Sequence, residues 1–127
     1  MQVLVDTSVW IDYLRSGKHS GALDDLIDKN MLVTNDIILA ELIPYLKIRK
    51  QTGVIQLLHA VKRVPLRIDW EHIIALQINC LKNGANGVGI PDLIIVQNAM
   101  DNNTQIYTLD KHFSLLCQIV KLKLYQQ

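Results

Sequence analysis

The sequence lacks the marks of several common protein classes. It has only two cysteines, Cys80 and Cys117, both among apolar neighbours and without CxxC spacing, so we expect reduced core thiols rather than disulfides. Its four histidines show no HxxxH or HxH spacing, which disfavours a zinc site. Because Walker A, GxGxxG and nucleophile-elbow motifs are also missing, nucleotide-cofactor and acyl-transfer chemistry are poorly supported.

Neither charge nor hydropathy is extreme. The formal net charge is +1, from 13 basic and 12 acidic residues, so the clear excess of basic residues that is typical of a nucleic-acid-binding domain is absent. Local patches can still bind nucleic acid whatever the sum. No apolar run reaches the length of a membrane span, and the first residues, MQVLVDTSVW, lack the basic start of a signal peptide. We therefore expect a cytoplasmic protein.

The length of 127 residues, half of them hydrophobic, is that of one domain, residues 1–127, with a core of its own. Short apolar runs predict strands at residues 2–5, 31–33, 64–66, 106–108 and 119–122. Helical patterns lie between them, at residues 22–27, 37–50, 54–62, 69–81 and 92–100, with shorter helices after residues 6–8 and 110. This alternation favours an α/β fold, in which helices cover both faces of a parallel sheet.

Two prolines affect the predicted helices. Pro44 lies inside the helix at residues 37–50, where it removes one hydrogen bond, so we expect a kink. Pro91 follows the glycine-containing loop at residues 82–89 and suits the start of a helix.

Two aspartates follow predicted strands, Asp6 after the first and Asp110 after the fourth. Functional groups of parallel sheets gather at the carboxyl ends of the strands, so these acids are expected at one edge. Aspartate is also a favoured helix N-cap, and capping is an open alternative for each.

Two further acids lie on helices. Glu41 is placed in the apolar segment IILAELIPYL, and because a buried glutamate needs a partner, it is either held toward a cation or reaches solvent at the helix edge. Asp92 follows Pro91, where it either favours the helix N-terminus electrostatically or serves a site beside the glycine loop.

Four carboxylates that converge would suit a hard cation such as Mg²⁺ or Mn²⁺, which prefers oxygen ligands. The cation would relieve the mutual repulsion of the acids and activate water for attack on a phosphate. Phosphodiester hydrolysis is the common reaction that fits this set best.

The ordered segments VDTSVWIDYL, ILAEL, IPDLIIVQNA and IYTLDKHF resemble the motifs of PIN-domain nucleases, and most of all those of VapC-type toxins from bacterial toxin–antitoxin pairs. The resemblance extends from Val3 to about Phe113, and the ordered set is more specific than any single motif.

The resemblance implies a three-layer α/β/α fold and an Mg²⁺- or Mn²⁺-dependent endoribonuclease that forms homodimers and is silenced by a small antitoxin protein. The catalytic and metal-binding acids carry over onto Asp6, Glu41, Asp92 and Asp110. Hydroxyl residues that support the site carry over onto Thr7, Ser8 and Thr108.

Two other functions stay open. One is a non-catalytic RNA- or protein-binding module on the same scaffold, and the other is an aspartyl-phosphate enzyme or receiver domain, whose characteristic acid patterns are missing here. For a nuclease, RNA requires a basic rim. The candidates are Arg15 and Lys111 first, then Lys18, Lys47, Arg49, Lys50 and His112, although each is also compatible with ordinary solvated surface.

Overall fold

A computed structural model describes residues 1–18 and 20–126. The elements, in chain order, are β1 (Val3–Val5), α1 (Thr7–Arg15), α2 (Ser20–Asp28), β2 (Leu32–Thr34), α3 (Asp36–Ile48), α4 (Thr52–Ala60), β3 (Lys62–Arg63), α5 (Trp70–Lys82), α6 (Ile90–Asp101), β4 (Gln105–Tyr107) and α7 (Lys111–Ile119). The strands form one parallel sheet in the order β3-β2-β1-β4. The predicted α/β class with a parallel sheet is confirmed.

The three-layer arrangement follows from the alternation of side chains along β1. Leu4 packs into a core with buried residues of α5, α6 and α7, whereas Val3 and Val5 pack into a second core with α1, α2, α3 and α4. Successive strand residues point to opposite faces of the sheet. A fully apolar strand therefore requires a helical layer on each side, as the α/β/α resemblance implied.

Two predicted strands need correction. The third strand is Lys62–Arg63 rather than residues 64–66, because Pro65 has no N–H for the ladder and the pairing ends with the bond from Val64 N–H to the Thr34 carbonyl (2.9 Å). The exposed, basic pair gave no apolar signal of a strand.

The second correction is that residues 119–122 are not a strand. Helix α7 continues to Ile119 and is followed by a turn in which Lys121 has a left-handed conformation (φ 60°). Leu122 N–H donates back to the Cys117 carbonyl (2.8 Å), which closes the end of the helix. Beyond this turn, Leu124 forms an isolated parallel bridge to Ile106 of β4.

The helix ends are close to those predicted. Asn35 caps α3 by accepting a hydrogen bond from Ile38 N–H (2.9 Å), and α3 continues past Pro44 to Ile48. Pro91 is the second residue of α6, which begins at Ile90, two residues before the predicted start. Cys80 and Cys117 are free and buried, as expected.

The longest described helices, α3 and α5, have 13 residues each. A membrane-crossing helix needs about 20 apolar residues. In the described part of the chain, no helix is therefore long and apolar enough to span a bilayer.

Candidate active site

The carboxyl ends of β1 and β4 lie side by side at the centre of the candidate site. Val5 pairs with Tyr107, and Asp6 N–H donates to the Tyr107 carbonyl (2.9 Å). The chain leaves β1 at Asp6 and β4 at Thr108, so these two residues are neighbours although they are far apart in sequence. The parallel register alone brings them together.

Asp6 is held by two hydroxyl groups. Ser8 Oγ and Thr108 Oγ1 both donate to Asp6 Oδ2, at 2.8 and 2.9 Å. Only 8% of Asp6 is exposed. Although Asp6 precedes α1, its side chain makes no capping hydrogen bond, so the capping interpretation of this residue is wrong. The two bonds fix the orientation of the carboxylate and leave Oδ1 free of both donors.

The hydroxyl groups also join Asp6 to the start of α7. Leu109 N–H donates to Ser8 Oγ (3.0 Å), and Asp110 N–H donates to Thr108 Oγ1 (3.1 Å). Ser8 and Thr108 therefore each link a carboxylate to the backbone after β4. Both residues that the resemblance implied as supporting the site thus contact Asp6.

Asp110 does cap a helix. Its Oδ1 accepts hydrogen bonds from His112 N–H (2.9 Å) and Phe113 N–H (3.4 Å) at the start of α7. The residue is exposed, and its charge raises the pKa of Asp92. Both capping bonds use Oδ1, so Asp110 can cap α7 and still present its other carboxylate oxygen near Asp92.

Asp92 lies in the first turn of α6, three residues after the N-cap Gly89. It is half-buried, and burial is the largest cause of its raised pKa. The charges of Asp6 and Asp110 raise the pKa further, whereas a hydrogen bond from the Gly89 backbone opposes the shift. This bond resembles one half of a capping box. It holds Asp92 over the helix N-terminus.

Glu41 lies at the exposed edge of α3 rather than in the apolar surroundings that its neighbours suggested. Its pKa is nevertheless raised, by partial burial first and then by the charges of Asp6 and Asp92, which are near enough to act on its carboxylate. It reaches solvent, and it faces the acidic cluster.

The Thr7 hydroxyl lies close to Glu41. It is buried and has no hydrogen-bond partner of ordinary geometry among the described residues. It still lies near enough to the Glu41 carboxylate to oppose part of its pKa increase. A buried hydroxyl without a partner is costly, so a ligand or water beside Thr7 and Glu41 would be stabilised.

No basic side chain neutralises the cluster in the ion pairs between described residues, which join Lys29 to Asp25 and Arg63 to Asp36. Asp6 raises the pKa of both Glu41 and Asp92, and Asp110 raises that of Asp92; acids this close together without a counter-charge fit a divalent cation. Within residues 1–18 and 20–126, however, no three acid, histidine or cysteine side chains are close enough to ligate one ion together. This spacing suits Mg²⁺, which keeps several waters and is usually held by one or two carboxylates.

The basic candidates differ in position. Lys111 directly follows Asp110 and is exposed, so it lies at the rim of the acidic cluster. Arg15 is also exposed but ends α1, about 12 Å along the helix axis from Thr7. Arg49 stacks on the Tyr45 ring at 3.8 Å. Lys111 is therefore the better placed of the two principal candidates.

Sequence reasoning missed a buried polar layer beside the acids. Asn35, Gln97 and Asn98 are each at most 1% exposed and are hydrogen-bonded to one another or to the chain around residues 65–69. The signal was present in DLIIVQNAM, where two adjacent amides interrupt an apolar helix. Cys117 also lies near the site, where burial and then the charges of Asp6 and Asp92 raise its pKa to about 12.

Comparison with known proteins identifies the family. The PIN-domain family model matches residues 3–118, and a search of curated proteins found no match. Solved structures are also similar to this chain, among them these three. VapBC2 from Rickettsia felis, bound to a fragment of promoter DNA, has 20% identity and a TM-score of 0.77, with coverage of 100% of this chain and 99% of that chain.

DNA-bound VapBC from Salmonella typhimurium has 15% identity and a TM-score of 0.76, with 98% of this chain and 97% of that chain covered. PAE2754 from Pyrobaculum aerophilum has 13% identity and a TM-score of 0.58, with 95% and 98% covered. At these identities the structures show the fold alone, whereas the family model extends over nearly the whole sequence. The chain therefore belongs to the PIN-domain family.

Proposed function

We propose that this protein is a VapC-type toxin, an endoribonuclease that hydrolyses RNA phosphodiesters with Mg²⁺ or Mn²⁺. The observation that carries the proposal is the convergence of Asp6, Glu41 and Asp92 beside the strand end that Ser8 and Thr108 hold, where the charge of Asp6 raises the pKa of both other acids. Membership of the PIN-domain family and the similarity to VapBC structures support the same activity.

The chain's own groups have distinct roles in this proposal. Ser8 and Thr108 hold the Asp6 carboxylate in place, so its negatively charged oxygen does not need to move when the cation or the substrate binds. Asp92 and Asp110 add charge from the starts of two helices. When bound, a divalent cation supplies a Lewis acid that activates water and offsets the charge that builds on the phosphate.

Glu41 is the best placed group to move a proton. Its raised pKa makes its carboxylate a stronger base than an ordinary glutamate, and its exposed position allows exchange with solvent. The Glu41 carboxylate would accept a proton from the attacking water, while the Thr7 hydroxyl would orient that water or the substrate. Lys111 would contact the phosphate backbone at the rim.

The test uses purified protein, freed of any bound partner, and mixed cellular RNA. Cleavage is measured with Mg²⁺, with Mn²⁺ and with chelator, beside Asp6→Asn and the control Asp36→Asn. Asp36 is exposed and pairs with Arg63. We expect cleavage by the wild type and the control only with metal, and none by Asp6→Asn. If the folded wild type cuts no RNA with either metal, the non-catalytic binding module replaces the enzyme.

We further propose a cytoplasmic toxin that a small antitoxin protein silences. Two of the similar structures are VapBC pairs bound to DNA, and the motifs resemble those of such toxins. Co-expression with the short reading frame beside the gene tests this point. A partner that co-purifies and suppresses RNA cleavage supports it, whereas a nuclease unaffected by the neighbouring product contradicts it.

The expected homodimer has a candidate surface on α5. Four large apolar residues are half-exposed at every third or fourth position of this helix: Trp70 (58%), Ile74 (52%), Ile78 (48%) and Leu81 (53%). They form one stripe beside the buried face of the helix. A stripe of this kind is typical of an interaction surface, whose energetic centre is often a tryptophan.

We propose that a second copy of the chain covers this stripe in an antiparallel arrangement. About a two-fold axis near the middle of α5, Trp70 meets Leu81 of the other copy and Ile74 meets Ile78. The exposed Glu71 and Lys82, at opposite ends of the same flank, then face each other across the interface with opposite charge. A parallel arrangement would lose this complementarity.

Sedimentation of the metal-free protein tests the arrangement without any assay of RNA cleavage. We expect a wild-type dimer, monomers for Ile74→Lys and for Ile78→Glu, and a restored dimer for the double variant. Ile48→Lys is the control, since Ile48 is 79% exposed on another helix. A monomeric wild type, or a dimer that tolerates each single change, would refute the arrangement.

A further inference from the structure

A buried amide bridge connects α3 to α6, the helices that carry Glu41 and Asp92. Asn35 Nδ2 donates to Asn98 Oδ1 at 2.8 Å, and neither residue is more than 1% exposed. Asn35 is the N-cap of α3, and Asn98 lies in the second half of α6. The bridge is therefore a direct polar contact between two elements of the candidate site, within their shared packing surface.

The orientation of both amides is fixed by their other bonds. Asn35 Oδ1 accepts from Ile38 N–H (2.9 Å), and Asn98 Nδ2 donates to the Pro65 carbonyl (2.7 Å). Rotating either amide by half a turn would place its oxygen against another oxygen or its nitrogen against an N–H. The bridge thus has a single arrangement of donors and acceptors, which α3 and α6 cannot keep if they slide past each other by one residue, about 1.5 Å.

The bridge and the two acids occupy matching levels of one antiparallel helix pair. Glu41 comes six residues after Asn35 along α3, and Asp92 comes six residues before Asn98 along α6. Six residues correspond to about 9 Å of helix. Helices α3 and α6 pack against each other, and the charge of Asp92 reaches Glu41, whose pKa it raises, so the helices are also close at this second level. Their register at the bridge therefore sets the distance between the two carboxylates.

We propose that Asn35 and Asn98 are positioning residues, which fix the separation of Glu41 and Asp92 and thereby the affinity of the site for a divalent cation. This inference rests on the proposed metal-dependent function. It adds to that function the hydrogen bond that sets the distance between the two metal-binding carboxylates. Outer groups that orient metal ligands commonly change metal affinity by about 10- to 100-fold when they are removed.

Gln97 provides a matched control next to Asn98. It is equally buried (1% exposed) and its side chain makes three hydrogen bonds, against two for Asn98: its Nε2 donates to the Arg67 carbonyl and to Asp101 Oδ2, both at 2.7 Å, and its Oε1 accepts from Asp69 N–H at 3.0 Å. None of these bonds reaches α3. Removing Gln97 thus disturbs the buried layer while leaving the bridge between α3 and α6 in place.

The experiment compares Asn98→Ala, Asn35→Ser and Gln97→Ala with the wild type by Mn²⁺ calorimetry and by thermal melting in chelator. Serine at residue 35 still caps α3, but its shorter side chain does not reach Asn98 Oδ1, so this variant separates bridging from capping and remains informative if Asn98→Ala does not fold. We expect Mn²⁺ to bind at least tenfold more weakly to both asparagine variants. Gln97→Ala should bind it within twofold of the wild type despite a similar loss of melting temperature.

Each outcome has one meaning. If the wild type does not bind Mn²⁺, the proposed metal site fails and this inference fails with it. If the wild type binds Mn²⁺ and the asparagine variants bind it equally well, positioning is refuted while the proposed function stands. Equal weakening by Gln97→Ala and Asn98→Ala would also refute it, because the effect would then be one of general stability.

Discussion

Replacing Asp92 by asparagine should change stability and activity in opposite directions. The carboxylate is half-buried and close to Asp6 and Asp110, and together these surroundings raise its pKa despite the hydrogen bond from Gly89. Since the charged form is disfavoured in the folded protein, a neutral isostere that can still accept the Gly89 bond should be at least as stable without metal. The same change removes a proposed metal ligand.

The magnitudes follow from the exposure of the site and the size of the chain. Charge interactions at partly exposed sites contribute about 1 kcal/mol or less, which corresponds to about 4 °C or less in Tm for a chain of 127 residues. Metal at about 100 times its Kd should stabilise the wild type by about 2.7 kcal/mol, or about 10 °C. Activity should fall at least about 100-fold in the variant, as when one preorganised electrostatic group is lost.

Thermal melting with chelator and with Mg²⁺, beside RNA cleavage, measures all three effects. Asp36→Asn is the matched control, because Asp36 also lies in a first helical turn but is exposed and paired with Arg63 at 3.1 Å. It should lose about 0.3–1 kcal/mol and keep the Mg²⁺ shift. An Asp92→Asn variant that melts lower in chelator, keeps the Mg²⁺ shift and cuts RNA would refute the reasoning.

Three other predictions concern the same site. Because the pKa values of Glu41 and Asp92 are raised, their contribution to the stability of the metal-free protein is fully present below the ordinary carboxyl pKa and is lost as pH rises through the raised values. Melting in chelator should therefore show a smaller loss of Tm over this pH range for Asp92→Asn than for the wild type, and an equal loss would contradict this. Thr108→Val removes a donor to Asp6, so we expect unfolding free energy to fall by about 1–3 kcal/mol and RNA cleavage by about 10- to 100-fold; unchanged cleavage would exclude a supporting role. The Cys117 thiol, with a pKa of about 12 and no exposed surface, should react with iodoacetamide only after unfolding, as peptide mass spectrometry can check.

Sequence reasoning succeeded where the signal was local. The apolar run before Asp6 and the cap sequence around Asn35 each specify an element and its end without reference to the rest of the chain. Asp6 and Asp110 could then be placed at one edge, because parallel strands end on the same side of a sheet. The strand at Lys62–Arg63 escaped detection since an exposed edge strand needs no apolar residues.

The role of each acid was harder to predict from the sequence, because an aspartate can serve either as a helix cap or as a site residue. Aspartate before a helix predicts a cap equally well for Asp6 and Asp110, yet only Asp110 caps. The difference arises from Ser8 and Thr108, whose hydroxyl groups take up the Asp6 carboxylate. Thr108 comes from the other end of the chain, so no local pattern could have revealed this bond.

By itself, then, the sequence determined the alternation of strands and helices, the two-sided burial of β1 and the position of Asp6 at a strand end, since periodicity and turn chemistry act between near neighbours. Only the tertiary structure decided that Glu41 approaches Asp92 and that Asn35 meets Asn98. Those contacts depend on how α3 packs against α6. That register is fixed by buried surfaces and hydrogen bonds between segments some 60 residues apart, and it is not encoded in either segment alone.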